Sequence, residues 1–312
     1  MIIIFLLAIA TSYTSLLFGH SPVLVSNYGF CFSSTSWWIG NPLLSWGVNL
    51  AVVLGIGILL IIMNKEFTFI REITVLFSSF FFLIIATDPA LSTRFIDGSL
   101  YCLVVLLCTI MLYSIYENPM GRRRIYLIFT ILSLCSMFQY AFLFLMPIFF
   151  IGLIQVRAFS LPGLIAVILG IITPFWILLG LGLVSINDFM LPSIVNVFKE
   201  VDWSKIPILL ATNILTVVIG IVMLVANMVK ILNYSLQTRV YNGFIVILLL
   251  FSIIMMICDY KNILAYITLS ACCVSIQVAH FYALSSFKKR YIVLFVIIAL
   301  YLGLYIWQMV RL

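Results

Sequence analysis

The chain has 312 residues, of which 65% are hydrophobic and only 8% are charged. Soluble globular domains carry about 25% charged residues, and the mean hydropathy of this chain is +1.31. This composition excludes a soluble enzyme. It predicts an all-α fold, a polytopic transmembrane helix bundle that forms one integral membrane domain over residues 1–312. The net charge of +7 does not indicate a nucleic-acid partner, because most Lys and Arg residues lie in short turns between apolar stretches.

Cysteine usage and short motifs narrow the function classes further. Six of the seven cysteines lie inside apolar stretches, where cysteine behaves as a small hydrophobic residue, and only Cys31 lies in a loop. This pattern contains neither a disulfide framework nor metal-ligand spacing. The chain also lacks a phosphate-binding GxxxxGK[ST] loop, an HExxH zinc motif and a GxSxG nucleophile motif. We therefore expect no metal and no cofactor.

Eleven apolar stretches follow one another along the chain. They are predicted at 2–19, 43–63, 73–87, 99–116, 125–140, 142–156, 164–184, 206–228, 241–258, 263–285 and 291–310. Several are shorter than the ~20 residues that cross a bilayer, notably 73–87. The first stretch lacks the basic start and the small-residue cleavage site of a signal peptide, so we predict that it is a retained helix.

The segment from Glu117 to Arg157 decides the topology. As one helix it would be about 48 Å long, whereas the hydrocarbon layer is about 30 Å thick. It starts with the basic turn ENPMGRRR, has Gln139 and Tyr140 near its middle, and ends at a single arginine. We therefore predict a short re-entering helix pair at 125–156, which returns the chain to the side on which the segment began.

The distribution of Lys and Arg supports this topology. With the N-terminus in the cytoplasm, eleven of the sixteen basic residues fall in cytoplasmic turns and five in outer loops, as the positive-inside rule requires. The cytoplasmic set is Lys65, Arg71, Arg122, Arg123, Arg124, Arg157, Lys230, Arg239, Lys288, Lys289 and Arg290. The outer set is Arg94, Lys199, Lys205, Lys261 and Arg311. The C-terminus is accordingly predicted to lie outside.

The second outer loop and the elements after it carry a family resemblance. Their sequences are ATDPALSTRFIDGSLYCLVVLLCTIMLYSIY, RRRIYLIFTILSLCSMFQYAFLFLMPIFFIGLIQVR and LPGLIAVILGIITPFWILLGLGL. Over roughly residues 75–184, with a weaker echo in 263–310, this layout resembles the middle of the C-type glycosyltransferases, which depend on polyprenyl-phosphate sugars. It also resembles an uncharacterised family of bacterial multi-pass inner-membrane proteins of about this length. The resemblance implies a cell-envelope protein that handles a polyprenyl-linked saccharide on its outer, periplasmic side.

The chain departs from the glycosyltransferases in its first outer loop. Those enzymes carry a catalytic Asp or Glu there, and residues 20–42 contain neither. Either the acid comes from the second outer loop, as Asp97 or Asp88, or the chain is not an enzyme of that type.

Arg94 and Asp97 are predicted to form the working part of an outward-facing site. They are three residues apart, so one helical turn would place both side chains on the same face. Arg94 would grip a phosphate through two hydrogen bonds, and Asp97 would act as a general base or bind a sugar hydroxyl. The alternative is structural, with Asp97 capping the next helix and Arg94 contacting lipid headgroups. His20 and Lys199, in two other outer loops, complete the predicted substrate-binding residues.

Three functions stay open. The first is a transferase or polymerase of envelope glycan assembly. The second is a transporter or flippase, favoured by a helix that Gly170, Thr173 and Pro174 would open, although no Asp, Glu, Lys or Arg lies near the middle of an apolar stretch. The third is a non-catalytic subunit of a larger envelope machine, with membrane-protein partners in addition to the lipid bilayer.

A reporter domain fused directly after Arg157 tests the topology. We expect it to be active in the cytoplasm, because the helix pair returns the chain to the side of the arginines at 122–124. A fusion after Asp97, in the second outer loop, is expected to report from the opposite side. Activity of the first fusion only outside the cytoplasm would refute the helix pair.

Overall fold

The computed structural model describes residues 2–18, 29–32, 41–68, 75–95, 97–118, 120–185, 187, 189, 207–230, 235–284 and 290–310. The described residues form helices and turns, with no strand among them. The helices are α1 (Ile2–Phe18), α2 (Pro42–Phe67), α3 (Leu76–Ala86), α4 (Pro89–Ser92), α5 (Asp97–Tyr113), α6 (Arg122–Ser136), α7 (Ala141–Gln155), α8 (Leu161–Gly180), α9 (Pro207–Lys230), α10 (Leu236–Cys258), α11 (Ile263–Leu284) and α12 (Arg290–Val310). A 3₁₀ turn at Tyr260–Asn262 joins α10 to α11.

Every predicted apolar stretch corresponds to a helix, and the bounds differ by a few residues. Six helical segments of the described chain are long and apolar enough to cross a membrane. They are Pro42–Phe67, Leu161–Gly180, Leu209–Val229, Leu236–Cys258, Tyr260–Ala283 and Arg290–Gln308. The prediction of an all-helical multi-pass membrane protein is thereby confirmed. The shorter helices α1, α3, α5 and α7 are also apolar, and the number of eleven crossings stays a prediction.

Helices α6 and α7 form an antiparallel hairpin in the segment that was predicted to fold back. The chain turns between Ser136 and Ala141. At the open end of the hairpin, the Glu117 N–H donates to the Val156 carbonyl at 3.0 Å. The Arg157 guanidinium pairs with the Glu117 carboxylate at 3.1 Å. The start of α6 and the end of α7 therefore lie together, as the length argument required.

A short piece of the first outer loop, residues 29–32, lies against the closed end of this hairpin. The Phe30 N–H donates to the Ser136 carbonyl, and the N–H groups of Cys31 and Phe32 donate to the Met137 carbonyl, at 3.1–3.3 Å. These carbonyls lie at the C-terminal end of α6, where a helix leaves its C=O groups without helical partners. The loop thus closes the end of the helix.

Helix α8 packs on α6 through a glycine contact. A Cβ atom on Gly170 would lie 2.8 Å from the Tyr126 carbonyl oxygen, and the Ser133 hydroxyl donates to the Ile171 carbonyl at 2.7 Å. The sequence at Thr173–Pro174 predicts a kink or an unwound turn. The unwound turn is wrong, because α8 continues unbroken to Gly180, and the kink stays a prediction. Proline removes one helical hydrogen bond, whereas unwinding would leave several backbone groups without partners in an apolar environment.

Helix α11 is the buried centre of the bundle. In the segment Tyr260–Ala283, 94% of the apolar window is buried, against 17–50% for the other five candidate spans. It packs against α3, α5, α9 and α10. The approach is close, since a Cβ atom on Gly98 of α5 would lie 2.6 Å from the Leu264 carbonyl oxygen. Hydroxyl groups such as that of Ser275 donate to carbonyls of their own helix, which allows them to be buried.

Contacts between helix ends distinguish two sides of the bundle. Ser99, near the start of α5, donates to Asn49 of α2 at 2.5 Å. Gln139, before α7, donates to Asn262, before α11, at 3.5 Å. We call this side the acidic end; its described acidic residues are Asp88, Asp97 and Asp259. The opposite side, which holds the first residues of α6 and the last of α7, is the basic end.

The glycine contact between α6 and α8 predicts the effect of one added methyl group. Gly170→Ala is expected to lower the free energy of unfolding by about 1–3 kcal/mol, because the new Cβ would press on the Tyr126 backbone. At Gly303 of α12 an added Cβ meets nothing within 4 Å. Gly303→Ala is the matched control, expected to gain up to about 1 kcal/mol from helix propensity. Thermal unfolding in detergent measures both, and equal effects would contradict the contact.

Candidate functional site

Asp88 lies at the acidic end in the loop between α3 and α4, outside the six candidate spans. Its Oδ1 accepts a hydrogen bond from the Ala90 N–H at 2.8 Å and so caps α4. The side chain is 1% exposed, and its Oδ2 has no hydrogen-bond partner among the described residues. Burial raises the pKa of Asp88 from 3.8 to about 7 and outweighs the opposing effect of the Ala90 bond. Asp88 is therefore poised to take or give a proton near neutral pH.

The N-terminal part of α2 holds the Asp88 loop in place. The Asn49 side-chain amide donates to the Leu91 carbonyl at 2.9 Å, and Asn49 accepts from Ser99 of α5. The Ser45 hydroxyl accepts from the Phe95 N–H at 2.8 Å. Hydrogen bonds between helices are the favourable alternative to unpaired polar groups in an apolar environment. They fix the loop to α2 and α5 and leave Asp88 little freedom to move.

Helix α1 completes the surroundings of this loop. The Ser12 hydroxyl donates to the Ser92 carbonyl at 3.2 Å and accepts from the Trp46 indole N–H at 2.9 Å. A small cleft of about 20 Å³ lies here, lined mainly by apolar residues together with Thr11, Ser12, Asn49 and Ser92. This volume is enough for about one water molecule. Ser92 belongs to the turn that Asp88 caps, since its N–H donates to the Asp88 carbonyl at 3.2 Å.

An apolar groove of about 310 Å³ lies between α1, α3 and α12. It continues from the cleft. The cleft and the groove share four lining residues, Ala8, Thr11, Phe82 and Ala86. The remaining lining of the groove is apolar except for Ser79. The acidic end therefore has a water-sized cleft with a few polar residues in its lining, and an apolar groove that leads up to it.

A second buried acid, Asp259, lies between α10 and α11. Its Oδ2 accepts from the Asn262 amide at 2.7 Å and from the Tyr266 hydroxyl at 2.9 Å. The side chain is 1% exposed, and Oδ1 has no hydrogen-bond partner among the described residues. Burial raises the pKa of Asp259 above its usual value, although the two donors oppose that shift. One oxygen is thus held in a fixed position while the other is available.

Neighbouring elements pack around Asp259. Gln139, from the turn between α6 and α7, donates to the Asn262 side chain. The Tyr101 ring of α5 meets the Tyr266 ring edge to face, with centroids 6.0 Å apart. The Tyr101 hydroxyl donates to the Ala141 carbonyl at 3.4 Å. The N-terminal ends of α5, α7 and α11 therefore meet around this carboxyl group.

The predicted pair Arg94 and Asp97 is not arranged as expected. Asp97 is the first residue of α5, in the turn where the helix dipole favours a negative charge, and it is 5% exposed. Arg94 lies in a bend before that helix and is exposed. Arg94 and Phe95 are not helical, so the predicted helical turn between Arg94 and Asp97 is not formed. Their catalytic and phosphate-binding roles stay predictions.

The other predicted site residues have different outcomes. Asp88 is buried and caps the turn that contains Ser92, which lines the cleft, while Asp88 itself is not part of that lining. His20 and Lys199 lie outside the described residues. Sequence reasoning missed Asp259 and Asn262. The sequence pattern that could have indicated them is the polar segment CDYKN between two long apolar stretches. Of this segment, only Lys261 entered the topology prediction.

No group of three or more His, Cys, Asp or Glu residues in the described part of the chain is arranged to hold a metal ion. Comparison with protein-family models, with curated proteins and with solved structures found no match.

Replacing Asp88 by asparagine is expected to change how stability depends on pH. Because burial raises the folded-state pKa to about 7 from 3.8, the folded protein holds this proton more tightly than the unfolded chain does. The contribution of Asp88 to the free energy of unfolding is fully present below about pH 4 and is lost as the pH rises to about 7. The asparagine side chain would keep the acceptor for the Ala90 N–H but cannot ionise.

Thermal unfolding of both proteins in detergent from pH 5 to pH 8 checks this expectation. Wild type should lose about 2–3 kcal/mol relative to Asp88→Asn over that range, with the difference levelling off above pH 7. Parallel pH profiles for the two proteins would show that the Asp88 carboxyl group is not held in an unfavourable, desolvated position.

Proposed function

We propose that this chain is a bacterial inner-membrane protein of cell-envelope glycan assembly that acts on a lipid-linked saccharide at the periplasmic side. The order of the helices and the eleven-to-five division of Lys and Arg support eleven membrane segments with the N-terminus in the cytoplasm. The acidic end then faces the periplasm. The basic end, with Arg157 and the first turn of α6, faces the cytoplasm.

The observation that carries the proposal is the half-satisfied carboxyl group of Asp88. One oxygen is held by the Ala90 N–H, and the other is buried without a partner among the described residues. A buried acid in such a position costs stability, and pKa values shifted toward neutrality are typical of groups that transfer protons in catalysis. Ser92, which lines the neighbouring cleft, belongs to the turn that Asp88 caps.

The supported chemistry is transfer of a sugar from a lipid phosphate to an acceptor hydroxyl. The acceptor oxygen forms a bond to the anomeric carbon while the bond from that carbon to the phosphate oxygen breaks. The lipid phosphate leaves with the electron pair, and the Asp88 carboxylate takes the hydroxyl proton. Arg94, exposed on the same loop, is the cation for the phosphate. Asp97 stays the alternative base.

The transporter alternative depended on an opened helix at Thr173–Pro174. Helix α8 is unbroken at this point, so no described feature now favours that interpretation. The non-catalytic subunit stays the alternative to an enzyme, and it makes a different prediction for Asp88.

Asp88→Asn is expected to accumulate in the membrane at the wild-type level and to fail to restore the envelope phenotype of a deletion strain. Loss of a general base lowers the rate by about 100-fold to 10,000-fold. Mass spectrometry of extracted membrane lipids should show the unused lipid-linked saccharide in the variant strain. Thr93→Ala is the matched control, because the Thr93 hydroxyl only donates to the Pro89 carbonyl within the same loop.

Two further variants decide between the acids. Asp97→Asn keeps a side chain near the helix start but cannot act as a base, and Arg94→Lys keeps the charge but loses two-point phosphate binding. Failure of Asp97→Asn with a functional Asp88→Asn would move the catalytic role to Asp97. Full function of all three variants would rule out the proposed site and favour the non-catalytic subunit.

A further inference from the structure

We propose that Asp259 is a proton-binding site that couples the docking of the α6–α7 hairpin on α11 to the pH at the acidic end. The proton is held on Oδ1, the oxygen without a hydrogen-bond partner among the described residues. When the proton leaves, the junction between the hairpin turn and α11 opens to water. This inference goes beyond the proposed function and does not depend on it, because Asp259 and Asp88 lie in different loops.

The Asp259 carboxyl group is enclosed, and one of its oxygens is fixed. The side chain is 1% exposed. The Asn262 amide at 2.7 Å and the Tyr266 hydroxyl at 2.9 Å both donate to Oδ2. An ionised carboxyl group would therefore share its charge with an Oδ1 that no described donor pairs. A buried charge in that position is strongly unfavourable, and a proton on Oδ1 removes it.

The surroundings of Asp259 favour a proton over a larger ligand. The side chains of Gln139, Asn262 and Tyr266 are at most 5% exposed, so a sugar or a phosphate has no access from the surface. A divalent metal ion takes six or more oxygen ligands, and the described residues contain no group of acids that could hold one. The Lys261 charge and the N-terminal ends of α5, α7 and α11 repel any cation. A proton needs no coordination shell.

The groups around Asp259 allow it to change its charge. Tyr266 donates from α11, Tyr101 of α5 interacts with the Asp259 charge, and Cys258 at the end of α10 interacts with Tyr266. The contact from the hairpin turn is an uncharged amide. Burial raises the pKa of Asp259, whereas its two side-chain donors and Lys261 lower it. These opposing effects prevent the carboxyl group from staying neutral at every pH.

Asn262 connects Asp259 to the hairpin. Its NH₂ group donates to Asp259, and its carbonyl oxygen accepts from the Gln139 NH₂ group. The second bond is 3.5 Å long, well above the usual 2.9–3.0 Å and therefore weak. An ionised Oδ1 gains a donor from water or from rotation of one of these amides, and both changes weaken the bond between them. Loss of the proton thus loosens the hairpin turn first.

Hydrogen exchange with mass spectrometry tests the proposal on the purified full chain in detergent. The background variant is Asp88→Asn, so that the Asp88 carboxyl group, whose pKa is about 7, does not contribute. Protection of residues 137–141, corrected for the intrinsic pH dependence of exchange, is followed from pH 4 to pH 8.

We expect protection of the hairpin turn to be highest at low pH and to fall severalfold as the pH rises. The raised pKa of Asp259 means that the docked state holds the proton more tightly than the open state, so docking weakens as the proton is lost. Each unit by which the two pKa values differ changes the opening equilibrium tenfold. The middle of α11 should keep its protection throughout.

Two variants change the Asp259 site in different ways. Asp259→Asn accepts the same donors and cannot ionise, so protection should stay near its low-pH level at every pH. Tyr266→Phe removes one donor from the carboxylate, so the fall should become larger and extend to higher pH. Tyr301→Phe removes a buried hydroxyl that bonds to Thr216, and as the matched control it should repeat the background profile. Tyr266→Phe serves as the test if Asp259→Asn does not fold.

The outcomes separate a proton-binding site from a structural cap and from a cation site. An Asp259→Asn profile that falls in parallel with the background, at lower protection, would show a structural cap and overturn the inference. An unchanged Tyr266→Phe profile would overturn it as well. Above pH 7, higher protection in sodium chloride than in N-methylglucamine chloride would mean that sodium occupies the site, which also overturns it; equal protection supports the proton. These measurements do not use activity, so they stand whether or not Asp88 is a catalytic base.

Discussion

The bundle depends on one constraint: polar groups that lie among apolar helices must find partners inside the protein. Helix α11 meets this constraint near both of its ends. Near the basic end, Asn227 of α9 donates to Gln277 of α11 at 2.8 Å, and Gln277 donates to Asn242 of α10 at 2.9 Å. At the acidic end, Tyr266 of the same helix donates to Asp259. These bonds join α11 to its neighbours, and the side chains between them can then pack closely.

The buried carboxyl groups satisfy this constraint with only one of their two oxygens. Asp88 and Asp259 each have one oxygen fixed by backbone or side-chain donors and one oxygen without a partner in the described part of the chain. One more hydrogen-bond donor would have paired the second oxygen of each carboxyl group. The Asn49 side chain, by contrast, is hydrogen-bonded through both its NH₂ group and its carbonyl oxygen. A protein that leaves an acid in this state gives up stability for chemical reactivity. Asp88 is accordingly the position at which the proposed function places its chemistry.

Much of this fold could be predicted from the order of apolar and charged residues. The helix ranges and the hairpin of α6 and α7 follow from segment length and from the position of Arg157. The candidate site was harder to predict from the sequence, because it depends on which helix ends lie next to one another in the folded bundle. Asp259 is distant in sequence from Tyr101 and Gln139, and only the packing of α5 and α7 on α11 brings them together. The error over Arg94 came from extending a helix backwards by one turn, which no sequence pattern excluded.

The first and last described helices are directly joined. The Thr14 and Tyr305 hydroxyls lie 2.6 Å apart, and the Gln308 amide donates to the Ser15 hydroxyl at 3.4 Å, across sequence separations of 291 and 293 residues. The ribosome makes α1 before α12, so this contact can form only after the helices between them have been synthesised. The flank shared by α1 and α3 remains open to the bilayer until that step. The link between α1 and α12 is therefore a late event in folding, after the helices between them have been inserted.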